Sequence, residues 1–204
     1  MKKIFILVTI FSLISCNSQD KKPIPGVTAY QKQLNMQFKD ASRSPLKRKD
    51  LKKFTALDFF KIDPSFIVKA KLEKSENTPL FKMATTTART AFYKEYGVLI
   101  FNLKGKELQL TVYQSQEDLE NENTKDVLFL PFTDQTSGNE SYGAGRYMNL
   151  SLNDVSKENT ITLNFNNTYN PYCAYDDRYS CPLTPRKNHL DIAIKAGIKA
   201  FKPH

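Results

Sequence analysis

Val98-Leu99-Ile100-Phe101-Asn102-Leu103, then Lys104-Gly105-Lys106, then Glu107-Leu108-Gln109-Leu110-Thr111-Val112 decide the reading of the fold. The first run is almost continuously apolar, as in a strand buried on both faces, and the third alternates apolar and polar with a period of two. The glycine-centred step between them suits a hairpin turn, so the stretch reads as two antiparallel strands. Working outward, Phe66, Val68, Ala70 and Leu72 alternate with Lys69, Lys71 and Glu73 behind Pro64, which is a further strand. Residues 127–132 and 161–165 add two more, and 85–96 is rich in threonine and aromatics. Towards the N-terminus, Val27, Tyr30, Leu34, Phe38 and Ala41 stand three and four apart, one face of an amphipathic helix that starts after Pro25-Gly26 and stops at Ser44-Pro45. At the other end Leu190, Ile192 and Ile194 alternate as a strand, although Ile194, Ile198 and Phe201 would also line a helix; the strand is the expectation. The sum is a mainly β chain, a single antiparallel β-rich barrel or sandwich domain with an N-terminal amphipathic helix packed on it.

The 204 residues suffice for one such domain. With 40% hydrophobic and 25% charged residues, the chain is neither wholly disordered, nor collagen-like, nor a multi-span membrane protein. Lys and Arg number 30 against 21 Asp and Glu, a formal net charge of +9. Arg43, Lys47, Arg48, Lys49, Lys52 and Lys53 crowd together and read as a solvated face. Lys2 and Lys3 precede a largely apolar run of 11 residues, 4–14, far short of the roughly 20 that span a bilayer; residues 1–15 read as a signal peptide. Leu13-Ile14-Ser15-Cys16 then resembles the lipobox of bacterial lipoproteins. The resemblance implies cleavage before Cys16, lipid on Cys16, a flexible tether over 16–26 and a domain over 27–204. Loss of Lys2 and Lys3 would lower the formal charge from +9 to +7. The implied address is the bacterial cell envelope, periplasmic or surface face, with the membrane as partner through Cys16 and no nucleic acid.

Two stretches do not read as ordinary core. In 131–147, Gly138, Gly143 and Gly145, three of only seven glycines, precede Arg146. Gly138 and Gly143 have P-loop spacing, but Ala144-Gly145 stands where Lys and Ser/Thr are needed, so a nucleotide loop is rejected. Backbone amides at Gly143 and Gly145 beside Arg146 could cradle a carboxylate or phosphate; the alternative is a tight turn whose arginine pairs with Asp134 or Glu140. The second stretch, 165–189, packs four tyrosines, Cys173, Cys181, three prolines and His189 into an irregular segment.

Phe132-Thr133-Asp134 with Thr136-Ser137-Gly138, Tyr142-Gly143-Ala144-Gly145-Arg146-Tyr147, Asn170-Pro171-Tyr172-Cys173-Ala174-Tyr175 and Cys181-Pro182-Leu183 resemble the family catalogued as domain of unknown function 1684, from about Tyr30 to the end. Where members often carry several prolines and an acidic residue before the Asn, this chain has Thr184-Pro185-Arg186-Lys187 before Asn188. The resemblance implies membership and no activity.

Three chemistries stay open for Cys173 and Cys181: a disulfide, two free thiols, or a metal site completed by His189 and Asp177, whose spacing is wide for zinc. The set expected is a disulfide candidate and no metal or cofactor. No G-x-S-x-G or H-E-x-x-H motif is present. The leading expectation is binding of a small polar or anionic ligand where the 134–146 loop meets the 170–181 segment, through Asp134, Tyr142, Gly143, Gly145, Arg146, Asn170 and Tyr172. The rivals are a hydrolase using His189 with Cys173, Cys181 or a carboxylate, and a non-catalytic envelope scaffold.

Overall fold

The computed structural model describes residues 26–201; the expected signal peptide, Cys16 and the expected tether up to residue 25 lie outside the described residues. Lys104 and Gly105, both at positive φ (51° and 76°), turn β3 (Ala91–Leu103) onto β4 (Lys106–Ser115), with Leu103 opposite Lys106. Two successive positive φ angles match the right-handed strand twist, which is why the glycine-containing pair suits this turn.

Around this hairpin lie β1 (Ile67–Lys74), β2 (Leu80–Met83), β5 (Val127–Asp134), β6 (Arg146–Ser151), β7 (Thr160–Asn164) and β8 (His189–Leu190). The strands run β6-β5-β4-β3-β1-β7, antiparallel at every step, with β2 added to β3 and β8 joined to β5 in parallel. With β6 and β7 as its two ends, the sheet curls into a half-barrel, neither a closed barrel nor a two-sheet sandwich. Among the described residues α-helices are few: α1 (Ala29–Lys39), α2 (Arg48–Leu51) and α3 (Gln116–Leu119), none long and apolar enough to cross a membrane.

One sheet face carries the main core, with Leu99, Phe101 and Leu103 of β3, Leu110 and Val112 of β4, and Leu128, Leu130 and Phe132 of β5. The opposite face carries an aromatic cluster that includes Tyr93, Tyr113, Phe129 and Tyr147. A β-bulge divides β3 between the two. Glu95 pairs with Tyr113 and Gly97 with Val112, leaving Tyr96 as the extra residue. Because side chains alternate, one inserted residue moves every later odd position to the other face. Tyr93 therefore belongs to the aromatic cluster while Leu99 and Phe101 belong to the core. Gly97 permits the close passage of β1: a Cβ there would sit 2.4 Å from the Glu73 carbonyl oxygen.

Two expectations change. α1 is capped by Thr28, whose Oγ1 accepts from Gln31 N–H at 3.2 Å, but its buried residues are Gln31, Asn35 and Phe38, while Val27 is 81% exposed. The inner face is thus partly polar, and Asn35 Oδ1 accepts the Leu57 N–H at 2.7 Å. The C-terminal strand is confined to His189–Leu190. Beyond it Ile192, Ile194, Ala196 and Ile198 are all buried at alternate positions, yet Arg146, not a ladder of strand partners, satisfies the carbonyls of the last three.

Candidate functional site

On the aromatic face the sheet forms the floor of a cavity of about 580 Å³. Tyr93, Phe129 and Tyr147 sit side by side across β3, β5 and β6, with ring centroids 5.5 Å and 4.7 Å apart, and Tyr169 stands edge-on to Tyr147 at 5.8 Å. α1 contributes Tyr30, Leu34, Gln37 and Phe38; the 169–172 and 179–182 stretches form a wall; Asp118 of α3 and Thr124 close one end. Among the described residues, eight lining side chains are aromatic, Asp118 is the lone carboxylate, and no Lys, Arg or His lines the cavity. Its size falls within the roughly 300–1,000 Å³ of small-molecule sites.

Hydrogen bonds hold the wall. Gln37 Nε2 donates to Tyr172 Oη at 2.6 Å, tying α1 to the irregular segment. Tyr169 Oη donates to Asn149 Oδ1 at 2.8 Å, and Tyr147 Oη donates to the Pro182 carbonyl. Asp118 is fixed reciprocally by Ser115: its N–H donates to Ser115 Oγ at 2.9 Å and its carboxylate accepts from that hydroxyl at 2.5 Å. Asn170 Nδ2 donates to the Lys199 carbonyl at 2.9 Å. Burial pushes the Tyr93 phenol up to about 12 and those of Tyr30, Tyr147 and Tyr169 higher still. These hydroxyls stay neutral at physiological pH.

The expected site residues divide. Asn170, Tyr172 and Cys181 line the cavity. Tyr142 meets the irregular segment at Cys173, Oη to Sγ 3.8 Å. Arg146, expected to hold an anion, is instead fully buried on the core side of the sheet. It pairs with Asp134 at 2.8 Å and donates to the carbonyls of Ala196 (2.5 Å), Ile194 (2.8 Å) and Ile198 (3.3 Å). Asp134 also accepts the N–H groups of Thr136 and Ile194, at 2.8 and 3.1 Å. Of the two pairings open in the sequence, Arg146–Asp134 forms, and Glu140 pairs with Lys195. The Gly145 amide donates to the Tyr142 carbonyl, and its φ of +100° brings the chain so close to β5 that a Cβ would lie 2.5 Å from the Phe132 oxygen. Gly143 is exposed, and a Cβ there would meet only ordinary contacts. This loop is built to hold the C-terminal segment; it directs no arginine towards an anion.

Cys173 and Cys181 are free thiols. His189 is exposed and shares a hydrogen bond with Thr133 Oγ1 at 3.0 Å, with neither a thiol nor a carboxylate as partner. Asp177 pairs with Lys47. Among the described residues no group of three or more His, Cys, Asp or Glu side chains gathers to hold a metal ion, so the four candidates do not assemble.

Sequence reading missed Tyr93, Phe129, Tyr147, Tyr30, Gln37 and Asp118. One signal was available: Leu128-Phe129-Leu130 and Tyr147-Met148 are apolar or aromatic at both parities, which marks a sheet covered on both faces.

The family described as "Protein of unknown function (DUF1684)" matches residues 52–199. The chain is also similar to the solution NMR structure of an uncharacterized protein from gene locus rrnAC0354 of Haloarcula marismortui. The two are 33% identical, with a TM-score of 0.68, over 86% of this chain and 93% of that one. No curated protein matches the chain.

Proposed function

The chain belongs to the DUF1684 family, whose description names no activity, and we propose that this member binds a small organic molecule, uncharged or cationic, in its aromatic cavity. One observation carries the reading: eight aromatic side chains and the Asp118 carboxylate line a cavity that no Lys or Arg among the described residues lines. Aromatic faces attract cations by about 0.5–2 kcal/mol and accept flat or apolar neutral groups without preference for an anion. Gln37, Asn149 and Asn170 supply amide hydrogen bonds for a polar edge. The anionic ligand first expected has no cationic partner here.

The chain has no Trp, and six of its ten tyrosines line the cavity, so tyrosine emission reports entry directly. Benzyltrimethylammonium, benzyl alcohol and benzoate present one ring with three charges. The expected order of affinity is cation, then neutral, then anion, with the cation favoured over the alcohol by roughly two- to thirtyfold. Benzoate binding as tightly as the cation, or no probe altering the emission, would refute the reading.

The same proposal places the protein on a membrane of the cell envelope through lipid on Cys16, supported by the lipobox-like Leu13-Ile14-Ser15-Cys16. Membrane-fraction protein is expected to begin at an acylated Cys16, and Cys16→Ser to release it. An intact, unacylated N-terminus would remove the anchor.

A further inference from the structure

The cysteine pair carries chemistry that the cavity does not use. Cys173 is half-buried and Cys181 buried, and both sulfurs are unbonded to each other. They stand eight positions apart, and the chain doubles back so that Cys173 N–H donates to Cys181 Sγ at 3.2 Å. The Cys181 backbone is pinned by Thr86: its N–H donates to Thr86 Oγ1 at 3.1 Å and its carbonyl accepts the Thr86 N–H at 2.9 Å. Tyr142 Oη lies 3.8 Å from Cys173 Sγ. A hydrogen bond from the Cys181 thiol, with help from Tyr142 and Thr86, lowers Cys173 to about 7, and that same bond raises Cys181. The more exposed sulfur is thus the better thiolate, and the buried one keeps its proton beside it.

We infer that Cys173 and Cys181 form a thiol–disulfide exchange site, with Cys173 the attacking sulfur, Cys181 the resolving sulfur and a small disulfide as oxidant. The Cys173 thiolate bonds to one sulfur of R–S–S–R; that S–S bond breaks and R–S⁻ leaves. Cys181 then loses its proton and attacks Cys173 Sγ, expelling the second R–S⁻. Two electrons and two protons pass to the oxidant, which ends as two R–SH, and the protein holds a Cys173–Cys181 disulfide. The half-buried position of Cys173 selects it for the first attack, and the fixed backbone of Cys181 holds the second sulfur within reach.

The test uses the full chain with glutathione disulfide at pH 7, read by peptide mass after trapping, so that Cys16 is followed on its own peptide. The wild type is expected to lose two hydrogens between Cys173 and Cys181, reversibly with dithiothreitol. Cys181→Ala is expected to accumulate a stable glutathione adduct on Cys173, and Cys173→Ala to react at least about tenfold more slowly at Cys181. The pH midpoint of Cys173 alkylation, near 7 in the wild type, is expected to rise towards the ordinary thiol value of about 8.5 in Cys181→Ala. That readout needs only the wild type to be folded for its first half. First attack at Cys181, thiols that react only on unfolding, or a wild-type midpoint near that ordinary value would overturn the assignment.

Discussion

Replacing Arg146 by alanine separates the two roles this residue has been offered. In the structure its guanidinium neutralises Asp134, both side chains being fully buried, and donates to three alternate carbonyls of the C-terminal segment. Removing it leaves a buried carboxylate with only the Thr136 and Ile194 N–H groups and leaves those carbonyls without that donor. Breaking a buried pair from one side costs about 3–5 kcal/mol, a large share of the roughly 5–15 kcal/mol that holds a domain folded. At about 2–4 °C per kcal/mol for a chain of this size, the melting temperature falls by roughly 10 °C. Urea unfolding followed by far-ultraviolet circular dichroism measures the change. Combining Arg146→Ala with Asp134→Leu removes the stranded charge, so the double variant is expected to be less destabilised than the sum of the singles. An Arg146→Ala protein with its unfolding midpoint intact but probe binding abolished would exclude the structural role and return the residue to ligand binding.

Gly97→Ala drives a Cβ to 2.4 Å from the Glu73 oxygen and is expected to cost about 1–3 kcal/mol, seen as a lower urea midpoint; an unchanged midpoint would mean the bulge is not constrained there. Asp118→Asn is expected to weaken benzyltrimethylammonium several-fold while leaving benzyl alcohol unchanged, by tyrosine emission, and an equal loss for both would deny the carboxylate a charge-specific role. Burial raises the phenol of Tyr93 to about 12, so its contribution to stability is complete below the unfolded-state value of about 10 and is lost as pH climbs from there towards 12. Tyrosinate absorbance in the folded protein should show a fraction of the ten tyrosines titrating late; all ten titrating near 10 would contradict their burial.

The hairpin around Lys104-Gly105 was legible because its signals are local: a period-two pattern on one side, a buried run on the other and a glycine between. The bulge at Tyr96 was not, since it exists only in the register between two strands. That one residue decides that Tyr93 faces the cavity, so the cavity floor was invisible in the chain. The Gly/Arg loop was visible as a special stretch, and its pairing with Asp134 was among the alternatives. Its true partner, the carbonyl row of residues 194–198, lies some fifty positions away. The same row explains why Ile192 and Ile194, alternating after Leu190, imitated a strand: the side chains alternate in burial while the Arg146 guanidinium takes the place of a neighbouring strand. The tyrosine-rich segment stood out by composition, but composition could not tell that Asn170, Tyr172 and Cys181 face a cavity while Tyr175 packs against Phe38 beneath α1.

The most direct test of the cavity as the ligand site is an aromatic NMR spectrum of the full chain, labelled at tyrosine and titrated with benzyltrimethylammonium. Ring shifts are expected only at Tyr30, Tyr93, Tyr147, Tyr169, Tyr172 and Tyr179, with Tyr142 and Tyr175 little changed. Shifts centred on Tyr142 instead, or none at saturating probe, would contradict it.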